Sequence, residues 1–346
     1  MKCIRIGYGH VAEWHEKKLT EEDVTTIGVI DIDENKRKLA LEAGFQVFSS
    51  YEEAFKLKPD FWDICVSTDF HLDILQTIRS LDFHANIIVE KPICHFFQIN
   101  TLKKVLENFP GKIVVNENYV SSNVTKNVRE ISTSLNLKPT RIISEMSKNR
   151  TADIRKGRFL DQEFFAFGYE GSHMITNILE LGEEYFPAEI KNPHYGDMHI
   201  TMPNGKICLP KQGRVEKKYI SKSGAEVILY TSMAGDIKYY YPGPFSFFDK
   251  IVEDNNTRYR ILAVEDEKKC MAVVGFYEPV PGLNRGEGTV VVFEKGDIKE
   301  YIAPIYDDTM GLSLKNAIHY FLEKRDNPCT VDMAIEIVEL FHLLKR

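Results

Sequence analysis

The residues best placed to do chemistry are Glu90-Lys91-Pro92, where two charges follow the apolar run Ile87-Ile88-Val89. An ammonium at the carboxyl end of a buried strand can stabilise negative charge developing on an oxygen. Open α/β sheets bind their ligands at that end. The competing reading of Lys91 is a salt bridge or a solvated strand end. A second candidate is Gly7-Tyr8-Gly9-His10-Val11-Ala12, which follows an apolar run and opens a helix-like stretch. Here Gly7 makes the tight turn, Gly9 lets the backbone approach a pyrophosphate, and Ala12 allows close helix–strand packing, with His10 inside the loop. The phosphates would meet the positive end of the helix dipole. Asp31 closes the second apolar strand, where a carboxylate binds ribose hydroxyls and repels the extra phosphate of NADP, so NAD is the expected cofactor. Asp31 as a helix cap is the weaker reading, because Asp33 is better placed for that task. Thr68 is expected either to line the cofactor or simply to turn the chain.

These residues need a sheet to position them. Apolar runs at Lys2–Ile6, Thr26–Ile30, Asp63–Ser67, Asn86–Val89 and Lys112–Asn116 alternate with amphipathic stretches at Val11–Leu19, Glu34–Ala43, His71–Leu81 and Asn100–Asn108. Such alternation with short connections predicts a doubly wound parallel sheet. Beyond about residue 120 the texture changes. A helix over Ser122–Leu135 leads to a strand at Thr140–Met146 and an apolar helix over Ser172–Leu181. Successive strands follow, among them Ala225–Thr231, Ile237–Tyr241, Arg260–Ala263, Met271–Phe276 and Thr289–Phe293, before closing helices at Leu312–Lys324 and Val331–Lys345. The expected division is therefore residues 1–120 as an α/β dinucleotide-binding domain. Residues 121–346 would form an α+β domain with a large, mostly antiparallel sheet.

The bulk properties narrow the function. A net charge of −7 over 346 residues argues against a general nucleic-acid or membrane-surface binder. The six cysteines are scattered without metal-ligand spacing, so no metal site is expected. No leader-like segment and no long apolar span is evident, which suggests a cytoplasmic setting with reduced thiols.

The Gly7–Ala12 turn, Asp31, Glu90-Lys91-Pro92 after an apolar strand and the stretch VVNENYVSSNV at 114–124 together resemble the Gfo/Idh/MocA oxidoreductases. The likeness covers nearly the whole first domain and is weaker beyond. It implies a Rossmann domain in which Lys91 lies beside the nicotinamide and contacts the reacting hydroxyl, with Glu90 and Pro92 as supports and a Lys91–Pro92 bond that is often cis. The family's Asp-x-Gly-x-His pattern at the start of a helix aligns with Tyr169-Glu170-Gly171-Ser172-His173. His173 is then the expected proton acceptor in oxidation. Tyr169 stands where relatives carry an aspartate, and Thr176 where an acid is frequent. Tyr119, Arg150, Arg155 and Arg158 are candidate substrate contacts, the arginines because guanidinium groups bind carboxylate and phosphate; a solvated basic face is the competing reading.

The resemblance implies an NAD(P)-dependent oxidoreductase interconverting a secondary alcohol and a ketone on a sugar, cyclitol or related polyol derivative by hydride transfer, assembled as a homodimer or homotetramer through its large sheet. The alternatives are a non-catalytic dinucleotide-binding regulator and a biliverdin-reductase-like reductase of C=C or C=N bonds.

Overall fold

The computed structural model describes residues 1–157, 160–202, 205–243 and 258–345. Six parallel strands run through the first unit: β1 (Lys2–Ile6), β2 (Thr25–Ile30), β3 (Val47–Phe48), β4 (Phe61–Ile64), β5 (Ile87–Glu90) and β6 (Ile113–Asn116). Their order is β3-β2-β1-β4-β5-β6, so the winding reverses between β1 and β4, and the carboxyl ends of the strands there are where doubly wound sheets bind ligands. Helices α1 (His10–Glu21), α2 (Glu34–Glu42), α3 (Tyr51–Phe55), α4 (His71–Leu81) and α5 (Ile99–Val105) connect the strands. Because parallel sheets are covered on both faces, their strands read as continuous apolar runs. In α4 the residues Leu72, Leu75 and Ile78 recur at helical spacing and are buried.

Two differences from the sequence expectation concern this sheet. β4 begins two residues earlier and ends three earlier than Asp63–Ser67, because Phe61 and Trp62 fill the core while Ser67 is exposed. The two-residue β3 and the single-turn α3 are too short to show a period.

The second unit opens with α6 (Asn123–Ser134), β7 (Arg141–Lys148), α7 (Thr151–Arg155) and α8 (Phe167–Leu181). Then come β8 (Pro187–Ile190), β9 (His194–Met202), β10 (Gly205–Ser221), β11 (Glu226–Ser232), β12 (Arg258–Asp266), β13 (Met271–Phe276), β14 (Glu287–Glu294) and β15 (Asp297–Tyr306). They form a nine-stranded sheet in the order β15-β14-β13-β12-β7-β11-β10-β8, with β9 also on β10. All pairings are antiparallel except β7 with β11. Gly275 and Gly288 let α6 lie close: a Cβ at either would sit within 2.8 Å of Val124 or Val128. Asp307 fixes the start of α6, accepting hydrogen bonds from the backbone N–H of Asn123 (2.6 Å) and Val124 (3.2 Å) and from the Ser122 hydroxyl.

Ile237–Tyr241 is not a strand. The backbone N–H groups of Lys238 and Tyr239 go to the buried Glu145 carboxylate, and that of Tyr241 goes to the Tyr259 hydroxyl, in place of a ladder. Burial pushes the Glu145 carboxyl up to about 7.

Nor does the chain divide into two consecutive pieces at residue 120. The first unit comprises Met1–Ser121 and Thr309–Glu339, and the second comprises Ser122–Asp308 and Leu340–Arg346. Helix α9 (Thr309–Phe321) buries Leu314, Ala317, Ile318 and Phe321 against Cys3, Leu19, Phe61, Ile88 and Val114. Helix α10 (Val331–Leu343) adds Ala334, Ile335 and Val338 to the other face of the same unit. Burial of these apolar stripes against one sheet outweighs chain order in deciding the unit. Replacing Leu314 by alanine should therefore destabilise the first unit by about 2–5 kcal/mol, measured as a shift in urea unfolding. An unchanged midpoint would place α9 outside this core.

Candidate active site

In the first unit the glycine turn has the shape its sequence implies. Gly7 has φ +92°, and a Cβ there would lie 2.8 Å from the Cys65 carbonyl oxygen and 2.7 Å from Val66, so the turn requires glycine. Gly9 begins α1 with extended backbone and no capping side chain, and a Cβ at Gly9 would meet nothing within 4 Å. That leaves room for a phosphate at the helix N-terminus. Ala12 is fully buried behind the turn. The Asp31 carboxylate accepts from the backbone N–H of Tyr8 (2.7 Å) and of Asp33 (2.8 Å), tying the end of β2 to the glycine turn. Asp33, not Asp31, caps α2, by accepting from the Asn35 N–H. These features fit a dinucleotide.

Other candidates around this edge fall into place less uniformly. Thr68 opens a single 3-10 turn and is half-buried. The His10 ring is mostly exposed; it accepts from the Trp14 indole N–H (3.2 Å) and lies 3.5 Å from Glu13. Tyr119 is buried in a short 3-10 turn after β6.

Glu90 ends β5 buried, while the next residue, Lys91, is half-buried and its peptide bond to Pro92 is cis. Among the described residues the Lys91 ammonium makes no ion pair. The Glu90 carboxylate oxygen Oε1 instead accepts from His15 Nε2 (2.9 Å) and Asn116 Nδ2 (2.5 Å). His71 bridges the Val66 and Pro92 carbonyl oxygens (3.1 and 3.0 Å), holding the loop after β4 to the loop after β5.

A buried charge network missed by sequence reasoning lies below this edge. His15 Nδ1 faces Asp63 Oδ1 at 2.8 Å, and Asp63 Oδ2 accepts from Arg5 Nε at 2.8 Å. Arg5 Nη1 reaches Glu16 at 2.5 Å. Arg5, His15 and Asp63 are fully buried. Burial opposes the charge on all of them, and it is outweighed: Cys65 and Asp63 raise His15 well above its ordinary value, His15 and Arg5 lower Asp63, and the hydrogen bond and charge of His15 lower Glu90. Cys65 lies 3.3 Å from His15 Nδ1, and burial raises its thiol to about 11. The ligand atoms of His15, Asp63 and Cys65 lie within 4.8 Å of one another. The 2.8 Å imidazole–carboxylate separation is nevertheless that of a direct hydrogen bond, and the Arg5 guanidinium already supplies the cation. The signal in the sequence was a lone charge inside each of two strands, Arg5 in β1 and Asp63 in β4.

In the second unit the motif does not begin a helix. Helix α8 starts at Phe167, so Tyr169 and His173 both lie within it. The start is earlier because Phe167 is fully buried and stacks on Phe341. His173 is half-buried. Tyr169 accepts from the Asp161 N–H through its hydroxyl (3.1 Å), with the Arg150 guanidinium 5.4 Å from its ring centre. Thr176 is buried and donates back to the Ser172 carbonyl (2.9 Å). The acid the motif lacks at Tyr169 has a neighbour in Glu170, which is buried and accepts from Arg150 and from Arg260 (2.8 Å). Despite its burial, Arg260, Arg150 and His173 hold that carboxyl well below the usual range. Arg150 is therefore an internal ion-pair residue that also reaches Asp153 (3.4 Å), whereas Arg155 is exposed and donates to the Thr201 carbonyl. Arg158 lies outside the described residues. Arg150 and Arg155 thus do not combine into one basic patch.

The network makes a signed prediction about pH. A histidine raised above its ordinary 6.5 contributes stability that is complete below that pH and lost as pH rises through the folded value. Asp63 and Glu90, lowered from 3.8 and 4.5, contribute stability that is complete above those values and lost below them. The stability difference between wild type and His15→Gln, measured by urea unfolding, should be largest between about pH 5 and 6.5 and should shrink as pH rises. A difference independent of pH from about 5 to 9 would contradict a charged His15.

Comparison with known proteins agrees with this geometry. Residues 1–116 match the GFO_IDH_MocA family model, described as oxidoreductase family, NAD-binding Rossmann fold. No curated protein matches the sequence. Among solved structures, the UDP-N-acetylglucosamine 3-dehydrogenase GnnA from Acidithiobacillus ferrooxidans is 14% identical, with 100% of this chain and 96% of that one covered at a TM-score of 0.68. An oxidoreductase from Agrobacterium radiobacter, solved with NAD+, L-tartaric acid and magnesium, is 14% identical over 99% of this chain and 94% of that one, with a TM-score of 0.69. An oxidoreductase from Thermotoga maritima is 12% identical over 100% and 96%, at 0.71. At such identities these three share the fold. Among the described residues no helix is long and apolar enough to cross a membrane. The glycine turn, Asp31 and the strand end at Lys91 all fall within the matched segment, so the likeness to the NAD-binding Rossmann fold of the Gfo/Idh/MocA oxidoreductase family covers residues 1–116.

Proposed function

We propose that this protein is an NAD-dependent dehydrogenase interconverting a secondary alcohol and a ketone on a sugar, cyclitol or related polyol. The observation that carries the reading is Lys91. Its ammonium follows β5 at the carboxyl edge of the sheet that bears the Gly7–Gly9 turn and Asp31, and the adjacent Glu90 is bonded to His15 and Asn116 instead. The dehydrogenase GnnA, which shares the fold, acts on a sugar nucleotide by its name, and the Agrobacterium protein was solved with NAD+ and a hydroxy acid; both support this substrate range.

The dinucleotide would be held by the backbone of Gly7 and Gly9 at the start of α1 and by the Asp31 carboxylate. When bound, NAD supplies a hydride acceptor or donor. Lys91 stabilises the negative charge that grows on the carbinol oxygen as its proton leaves, and His173 accepts that proton. Tyr169 is a candidate hydrogen-bonding partner of the substrate. Asp31 favours NAD because a second anion, the NADP 2′-phosphate, is repelled there.

Activity should be sought with a panel of polyols, sugars, sugar nucleotides and hydroxy acids, following NADH absorbance. Lys91→Ala and His173→Ala should each lower kcat by about 10²–10⁴-fold, with NAD affinity by calorimetry changed by no more than about 3-fold, less than 1 kcal/mol. NAD binding by wild type without turnover on any substrate class would replace this reading with a dinucleotide-binding regulator. In a separate experiment, Asp31→Ala should raise NADP affinity relative to NAD. Wild-type binding of NADP more tightly than NAD would refute the role given to Asp31.

A further inference from the structure

Glu90 and Lys91 are adjacent in sequence and opposite in charge, and at a strand end such neighbours pair readily. They do not pair here. Successive side chains of an extended chain point to opposite sides, and the Glu90 side chain is drawn inward, where His15 Nε2 (2.9 Å) and Asn116 Nδ2 (2.5 Å) both meet its Oε1. His15 faces carboxylates through both ring nitrogens, Asp63 through Nδ1 and Glu90 through Nε2. A neutral imidazole has one N–H, so serving both acids requires the imidazolium. The other groups packed around it are Cys65 (3.3 Å), Asn116 (3.0 Å) and, across Asp63, Arg5 with Glu16. With Arg5 and His15 positive and Asp63 and Glu90 negative, the buried set is neutral. Remove the His15 charge and one negative charge is left over, with the Lys91 ammonium on the next residue to answer it.

We propose that His15 is a positioning residue for Lys91: by engaging the Glu90 carboxylate inside the sheet, it keeps the Lys91 ammonium out of an ion pair with its own neighbour. This rests on the role given to Lys91 at the reacting oxygen. An ammonium already paired with Glu90 would answer a developing alkoxide weakly, because its charge and hydrogen bonds would be spent in the ground state. His15 touches neither substrate nor cofactor in this scheme and acts through Glu90 alone. Asn116, at the end of β6, gives the carboxylate a second donor that is neutral and adds no charge.

The test reads Lys91 directly and does not depend on turnover. Full-length wild type, His15→Gln and His15→Gln/Glu90→Gln are pulse-labelled by isotopic reductive methylation, and the rate at Lys91 is taken from peptide mass spectrometry against exposed lysines. His15→Gln should slow Lys91 labelling by about 5-fold, as a partly exposed ion pair forms, and the double variant should return it to within about 2-fold of wild type, a difference under 0.5 kcal/mol. Equal rates in all three, or a double variant no faster than the single one, would overturn the proposal. Nitrogen NMR of the His15 ring in wild type supplies an arm that needs no variant to fold: both ring nitrogens should be protonated at pH 8, and a neutral tautomer there would also overturn it.

Where a substrate has been found, His15→Gln should lower kcat by about 10–10²-fold with little change in NAD affinity, and Glu90→Gln in the same chain should recover most of the loss. A merely structural histidine would give no recovery, since the second substitution removes another buried bond. Should labelling and NMR behave as expected while no substrate is turned over, the dehydrogenase reading fails and the pairing rule for Glu90 and Lys91 stands.

Discussion

A histidine held between two buried carboxylates is the constraint on which the first unit turns. Charges are costly to bury, and the cost is met only when each has a partner in good geometry. Asp63 comes from β4, Glu90 from β5, Arg5 from β1 and His15 from α1, so the pairing fixes four elements relative to one another. It does so where the strand order reverses, the part of a doubly wound sheet that opens to a ligand. Exchanging these residues for apolar ones of similar volume would make an ordinary core. What would be lost is the definite direction of Glu90, and with it the freedom of the residue that follows.

The second unit solves a similar problem with different residues. Glu170 lies three positions before His173 on α8 and is as deeply buried as Glu90. Its carboxylate is taken up by Arg150 and Arg260. In each unit, then, the residue proposed to act is close in sequence to an acid whose charge is answered mainly by other side chains. The substitution of Tyr169 for the acid of related motifs is accompanied by an internal guanidinium over its ring, so this part of the helix is built around arginine–carboxylate pairing rather than around an open acid.

Much of this was legible in the sequence, and the reasons for the remainder are specific. The apolar runs at Lys2–Ile6 and Met271–Phe276 are strands with those limits, because continuous burial leaves a run that composition alone reveals. Gly7, Gly9 and Ala12 lie as their spacing implies, since a tight turn into a helix is a local requirement. Ile237–Tyr241 has the pattern of a strand but surrenders its N–H groups to Glu145 and Tyr259, partners far away in the chain that no local pattern announces. The same holds for His15: in sequence it is a histidine on an amphipathic helix, and only the approach of β4 and β5 gives it two acids. Arg150 read as an open cation because Glu170 and Arg260 could not be placed beside it.

The return of α9 and α10 to the first unit has a consequence for how the chain is made. Synthesis runs from residue 1, and β1 to β6 with their five helices leave the ribosome first, yet among the buried residues of their cluster Cys3, Phe61, Ile88 and Val114 have only Leu19 and Val24 beside them until Leu314 and Phe321 emerge. The opposite face is packed by Leu75 and Ile78 of α4 and Leu102 of α5, and receives Ile335 and Val338 last. While residues Ser122–Asp308 are translated, the nascent dinucleotide-binding sheet lacks the apolar residues of α9 and α10. The second unit has its described strands by Tyr306, so the part of the protein that is written first is completed only after the sheet of the other has been made.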